Sequence, residues 1–152
     1  MKFVMKLAVL TALALPGAAL ASQCPAGKSG IDVRAKNDTP ANGVTDTVLT
    51  TIDVAHEPTV IAGRSFRMRR LVIQPGGVVP WHSHGERPAI IYVVSGSVSE
   101  YASTCSVAIV HKAGDATPEL HDTAHWWKNT GKGLVVLISA DLLKIGEDGK
   151  MM

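Results

Sequence analysis

From residue 48 onward, apolar and polar positions alternate in short runs, and turn-forming residues interrupt those runs at regular intervals. The alternation predicts strands at 48–54, 66–74, 79–84, 89–95, 97–101, 107–111, 124–129 and 134–142. The breaks between them fall at Pro75-Gly76-Gly77, Gly85 to Pro88, Ser95-Gly96, Ala113-Gly114-Asp115 and Asn129 to Gly133. No long run beyond the N-terminus carries the 3.6-residue period of a helix. Many short strands without helices predict an all-β sandwich or barrel. Residues 22–43 are rich in Ser, Pro, Gly, Lys and Asn, with turn signals at Pro40 and Asn42-Gly43. The expected division is an extended arm over 22–47, one β-domain over 48–143 and a polar tail over 144–152.

The first stretch changes the charge and the compartment. A short basic start with Lys2 and Lys6 leads into an apolar run from Leu7 to Leu15. Pro16-Gly17 ends that run, and Ala19-Leu20-Ala21 offers small residues for cleavage before Ser22. Residues 1–21 therefore read as a secretory signal peptide, whose apolar run is too short to span a bilayer well. Gln23 before Cys24 departs from a lipoprotein box, so a soluble exported protein without a membrane anchor is expected, most simply in the periplasm. Losing Lys2 and Lys6 from 15 basic residues leaves 13 against 13 acidic ones. The overall pI of about 8.6 thus overstates the working charge, and nothing points to nucleic acid. The cluster Arg64, Arg67, Arg69 and Arg70 reads as partly solvated strand side chains, the alternative being a barrel-facing arginine that holds an anionic substrate. In an oxidising compartment the two cysteines, Cys24 and Cys105, are expected to form a disulfide that staples the arm to the barrel.

The candidate chemistry lies in three histidines. His82 and His84 stand two apart on one predicted strand, so their side chains share a face. His125 lies on another strand. Two convergent imidazoles and a third from a facing strand can hold a metal with positions left open.

The spacing around them is similar to that of a known family. Five residues separate Gly76 from His82, His84 follows, and Gly96 closes the segment; ten residues separate Gly114 from His125, and Asn129 follows four later. This resembles the two motifs of the cupin superfamily, as do the segments PGGVVPWHSHGERPAIIYVVSG and HWWKNTG. The resemblance implies a double-stranded β-helix, a jelly-roll barrel, with one divalent metal inside, and it supports His82, His84 and His125 as ligands. There are two departures. The family's glutamate ligand would fall at Ala89, and its Pro-x-Gly turn at Leu120 and Asp122. Glu86, Glu119, His121 or water are the candidate replacements, with Glu119 and His121 taken to share strand parity with His125.

Strand parity then places Pro80 and Trp127 on the faces of the histidines, and the resemblance implies inward positions for Ala89, Ile91 and Val93, together an apolar and aromatic pocket with few acids that suits a small, partly hydrophobic ligand. Trp81, Trp126 and Trp127 are also candidates for core or a homodimer interface. Imidazoles do not choose among Fe, Zn, Ni, Cu and Mn. Three readings follow: a metal-dependent enzyme, dioxygenase-like or a lyase or isomerase; a non-catalytic metal- or ligand-binding module; and a structural cupin that has lost its metal. No catalytic acid or base stands out: Glu86 belongs to the mouth and Tyr92 to the outer face. No nucleophile elbow, P-loop or dinucleotide fingerprint is present.

Overall fold

The computed structural model describes residues 23–30, 39–59 and 61–146. The signal-peptide reading of 1–21 and the tail beyond 146 fall outside the described residues. The strands are β1 (Asn42–Asp53), β2 (Arg64–Ser83), β3 (Ala89–Ser95), β4 (Ser97–Ala102), β5 (Ile109–Lys112), β6 (Ala116–Glu119), β7 (Ala124–Lys128) and β8 (Val135–Lys144). All pairings are antiparallel, in the order β5-β4-β7-β2-β8-β3-β6, with β1 added to β2. β2 curls the sheet: Arg64–Ile73 pair with β8, whereas Val78–Ser83 pair with β7. The turn between β5 and β6 bonds to β3, Val93 N–H donating to Asp115 O and Gly114 N–H to Val93 O, both at 2.9 Å. The two ends of the strand order are thereby drawn together, as in a jelly-roll double-stranded β-helix.

Three details differ from the sequence expectations. Pro75-Gly76-Gly77 does not separate two strands. Gly76 takes φ +76°, and its N–H donates to Asn129 O at 2.9 Å while Asn129 N–H donates to Gly77 O at 3.0 Å, so the chain bends with its ladder intact. The Asn129 side chain locks that bend, donating to Ile73 O (3.0 Å) and Gly133 O (2.8 Å). Asn42-Gly43 is likewise a bulge at the start of β1, inside the stretch read as arm. β6 had no counterpart among the expected strands. It is only four residues long and contains Pro118, which its place at the end of the strand order tolerates.

The parity of β2 is the largest correction. Arg67 and Arg69, expected to be partly solvated, are 3 % and 0 % exposed, while Phe66 and Met68 between them face outward. Arg67 and Arg69 share parity with Leu71 and Ile73, which anchor the core together with Val79, Ile91, Val93, Val98, Trp127, Val135 and Leu137. The guanidiniums are tolerated inside because they are paired. Arg67 donates twice to Asp141 (3.0 and 2.7 Å), and Arg69 donates to Asp46 and Ser139.

Cys24 and Cys105 form a disulfide, with α-carbons 5.5 Å apart. Gly30 N–H to Thr104 O and Ser106 N–H to Lys28 O, both 2.9 Å, hold the arm beside it. A disulfide fits an oxidising compartment.

Candidate metal centre

His82 and His84 lie at and just beyond the end of β2, and His125 on β7, where it pairs in register with His82. Their Nε2 atoms form a small triangle: 3.1 Å between His82 and His84, 3.2 Å between His84 and His125, and 3.0 Å between His125 and His82. Each ring is held from behind through Nδ1. That of His82 meets Pro80 O at 2.8 Å, that of His84 meets Arg87 O at 3.0 Å, and that of His125 meets Glu100 Oε1 at 2.6 Å. A carbonyl or carboxylate oxygen only accepts, so each Nδ1 carries the proton and each Nε2 turns its lone pair inward. Burial first, and then the neighbouring His125, hold His82 neutral down to about 2 and His84 down to about 4. One proton cannot satisfy three lone pairs that face one another, whereas a single cation can. The donor set therefore fits a metal ion.

The surroundings are more charged than parity alone suggested. Glu100, Glu119, His111 and Asp141 are buried inside the barrel, which corrects the expectation of a lining with few acids. Glu100 accepts from His125 and from His111 Nε2 at 2.7 Å. Burial alone would raise its pKa, but the hydrogen bonds from His111 and His125 outweigh it and hold Glu100 at about 2. Glu119 is pushed up to about 10, by burial and then by the charge of Glu100, so it is a neutral acid near pH 7. Its Oε1 has no protein partner and its Oε2 lies 3.5 Å from His125 Nδ1. A cavity of about 230 Å³ reaches Glu100 and Glu119, with Gln23, Cys24, Thr117 and Leu120 among its walls. None of the three histidines lines it.

The candidate replacements for the missing glutamate are accounted for individually. Ala89 is buried where the family's ligand would stand, flanked in register by Glu119 on β6 and Asp141 on β8. Glu119 belongs to a group with Glu100 and His125, not to the three-histidine group. It lies on β6 rather than on the strand of His125, so the shared parity expected of it does not apply. His121 is exposed in the turn after β6, and Glu86 is exposed with Lys144 at 3.6 Å. None of the three closes the triangle. Sequence reasoning missed Glu100 and His111. Glu100 shares inward parity with Val98 and Ala102 on β4, a buried alternation interrupted by an acid, and that was the available signal. Of the tryptophans, Trp127 is core: it stacks on His111 at 4.7 Å and meets His125 edge-on, its N–H directed at the imidazole face. Trp126 points the other way and stacks on Tyr101.

Comparison with known proteins agrees with this fold. A family model described as "Cupin domain" matches residues 69–141. Among solved structures, a Klebsiella pneumoniae protein with a double-stranded β-helix domain is 19 % identical, with TM-score 0.55 over 73 % of this chain and 85 % of that one. A Cupin 2 conserved barrel domain protein from Salinispora arenicola is also 19 % identical, with TM-score 0.51 over 69 % and 80 %. An oxalate oxidase in complex with glycolate is 21 % identical, with TM-score 0.52 over 88 % of this chain and 67 % of that one. No curated protein matches the sequence. The curled all-β fold, the ordered glycine, histidine and asparagine anchors and the matching domain model together establish a cupin domain over residues 69–141.

Proposed function

We propose that this chain is an exported cupin that binds one divalent metal ion through His82, His84 and His125 and acts on a small, partly hydrophobic molecule. The observation that carries the reading is the triangle of Nε2 atoms at 3.0–3.2 Å, each ring fixed by an acceptor at Nδ1. The ion is Fe, Zn, Ni or Cu, all of which imidazole suits, or Mn with oxygen ligands completing its shell. When bound, it supplies polarisation of a substrate oxygen or acidification of a bound water, and iron adds dioxygen chemistry.

The chain's own residues divide the remaining work. His82 is the partly exposed member of the triad, so a small molecule approaches from its side. Ile91, Val93 and Trp127 exclude water from the inner end. Arg67, paired with Asp141, and Arg87, 3.8 Å from the same carboxylate, give the neighbouring wall a fixed polar character. The reaction class is a dioxygenase-like oxidation or a metal-assisted lyase or isomerase step. The fold shared with an oxalate oxidase is compatible with the first. Export to the periplasm is proposed from the leading segment and supported by the disulfide. Two free thiols in protein recovered from that compartment would contradict it.

A second reading, a non-catalytic metal- or ligand-binding module, is favoured by one observation: no carboxylate of the described residues joins the three-histidine group. Oxygen uptake and product formation across a panel of small acids, phenols and diketones, with metal-loaded protein, separate the two. Turnover that disappears in the His82→Ala/His84→Ala variant supports the enzyme. Stoichiometric ligand binding without turnover supports the module.

A further inference from the structure

We propose that Glu100 is the positioning carboxylate of the triad, fixing His125 and supplying through that ring the negative charge that no ligand supplies directly. This rests on the triad holding a metal ion. The three rings are not held alike. His82 and His84 are fixed by backbone carbonyls two and three residues away, Pro80 O and Arg87 O. His125 alone is fixed by a carboxylate, from a neighbouring strand, at 2.6 Å.

Register explains how Glu100 reaches it. On β4, Glu100 stands opposite Trp127 and Ala102 stands opposite His125, so Glu100 meets His125 diagonally across the β4–β7 pair. Its second oxygen takes His111 Nε2 at 2.7 Å, His111 stacks on Trp127, and the Trp127 N–H points back at the face of His125. The four side chains close a loop in which each restrains the next. Glu100 is only 3 % exposed, and a carboxylate that deep is costly unless a positive charge lies close by. A cation at Nε2 of His125 meets that need from the far side of the ring. An imidazole that donates to a carboxylate is also a stronger metal donor, and such partners are worth about 10–100-fold in affinity. Glu119, 3.5 Å from the same Nδ1 but without a partner at Oε1, lacks this geometry and serves as an internal comparison.

The test uses zinc alone, added to the metal-free wild-type protein and to the Glu100→Gln, Glu100→Asp and Glu119→Gln variants in competition with a chelator. Glutamine keeps the shape of Glu100 and removes its charge; its amide oxygen still accepts from His125 Nδ1–H, whereas its NH2 only donates, so the contact with His111 is kept only by the tautomer of that ring with a bare Nε2. Glu100→Gln should bind zinc about 10–100-fold more weakly. Glu119→Gln should stay within about threefold of wild type, and Glu100→Asp should recover part of the loss. The visible absorption of the cobalt(II)-loaded protein should shift in Glu100→Gln, because the donor strength of His125 changes; a purely structural role would leave it in place. Wild-type protein that binds no zinc overturns the triad reading itself. Wild type that binds while Glu100→Gln binds equally well, or Glu100→Asp no better than Glu100→Gln, overturns only the role of Glu100.

Discussion

The two ends of the barrel interior are built on the same strands and are opposites. Along β2, inward positions run Arg67, Arg69, Leu71, Ile73; along β8, read the other way, they run Asp141, Ser139, Leu137, Val135. One end is a dry aliphatic core closed by Val79, Val93 and Val98. The other holds paired ions, Glu100, Glu119 and the three histidines. Parity sends a side chain inward, and position along the strand decides which end it enters. The aliphatic end gains from burial, at about 25 cal/mol per Å² of apolar surface. The polar end returns little net stability, since buried ion pairs roughly offset their own desolvation. Its residues fit a site better than a scaffold.

Four changes would sharpen or break that contrast. Leu71→Ala should cost the most, about 2–5 kcal/mol in chemical denaturation, with metal stoichiometry retained by the protein that remains folded. If metal is lost in parallel, the two ends are not separable. Reducing the Cys24–Cys105 bond should cost about 2–4 kcal/mol, since it releases an arm that closes a loop across 81 positions. Because Cys24 also walls the cavity beside Glu100 and Glu119, hydrogen exchange should rise around β4 and β6 before it rises at Leu71.

Glu119→Gln should act by 1–3 kcal/mol, on the order expected for a carboxyl kept neutral by burial, and in a direction that depends on pH. The folded pKa, about 10, is raised above the ordinary carboxyl value of about 4.5. The unfolded chain therefore ionises first, and stability contributed by the acid form is lost as pH climbs from about 4.5 toward 10. Glutamine removes that loss, so the variant should gain on wild type at pH 8 relative to pH 4, read from paired denaturation curves. Equal curves at both pH values would mean Glu119 is ionised in the fold. His84→Ala should be the smallest change in stability, within about 1 kcal/mol for the metal-free protein, while abolishing its share of metal binding. A large loss of metal-free stability would make the triad a scaffold element.

Much of this was legible before the structure. The inward phase of Ala89, Ile91 and Val93 followed from the resemblance to the cupin motif, and the shared face of His125 and Trp127 from alternation. His82 and His84 were paired because two-residue spacing on a strand is a local property, and His125 joined them through the order of the cupin anchors. The phase of β2 was harder. In Phe66-Arg67-Met68-Arg69 the hydrophobic residues argue for one face, and only the later Leu71 and Ile73 fix the other. Sequence has no term for a guanidinium satisfied by Asp141, which lies 74 residues away. Glu100 and His111 escaped for the same reason, since their partners come from different strands. β6 escaped because four residues with a central proline carry almost no strand signal.

The most direct test of the central claim is elemental analysis of the protein, purified without chelators, beside the His82→Ala/His84→Ala variant. The account predicts close to one equivalent of a single transition metal per chain in the wild type and less than about a tenth of an equivalent in a variant that melts normally. Equal metal content in the two proteins, or a wild type that holds none and takes up none on reconstitution, would contradict it.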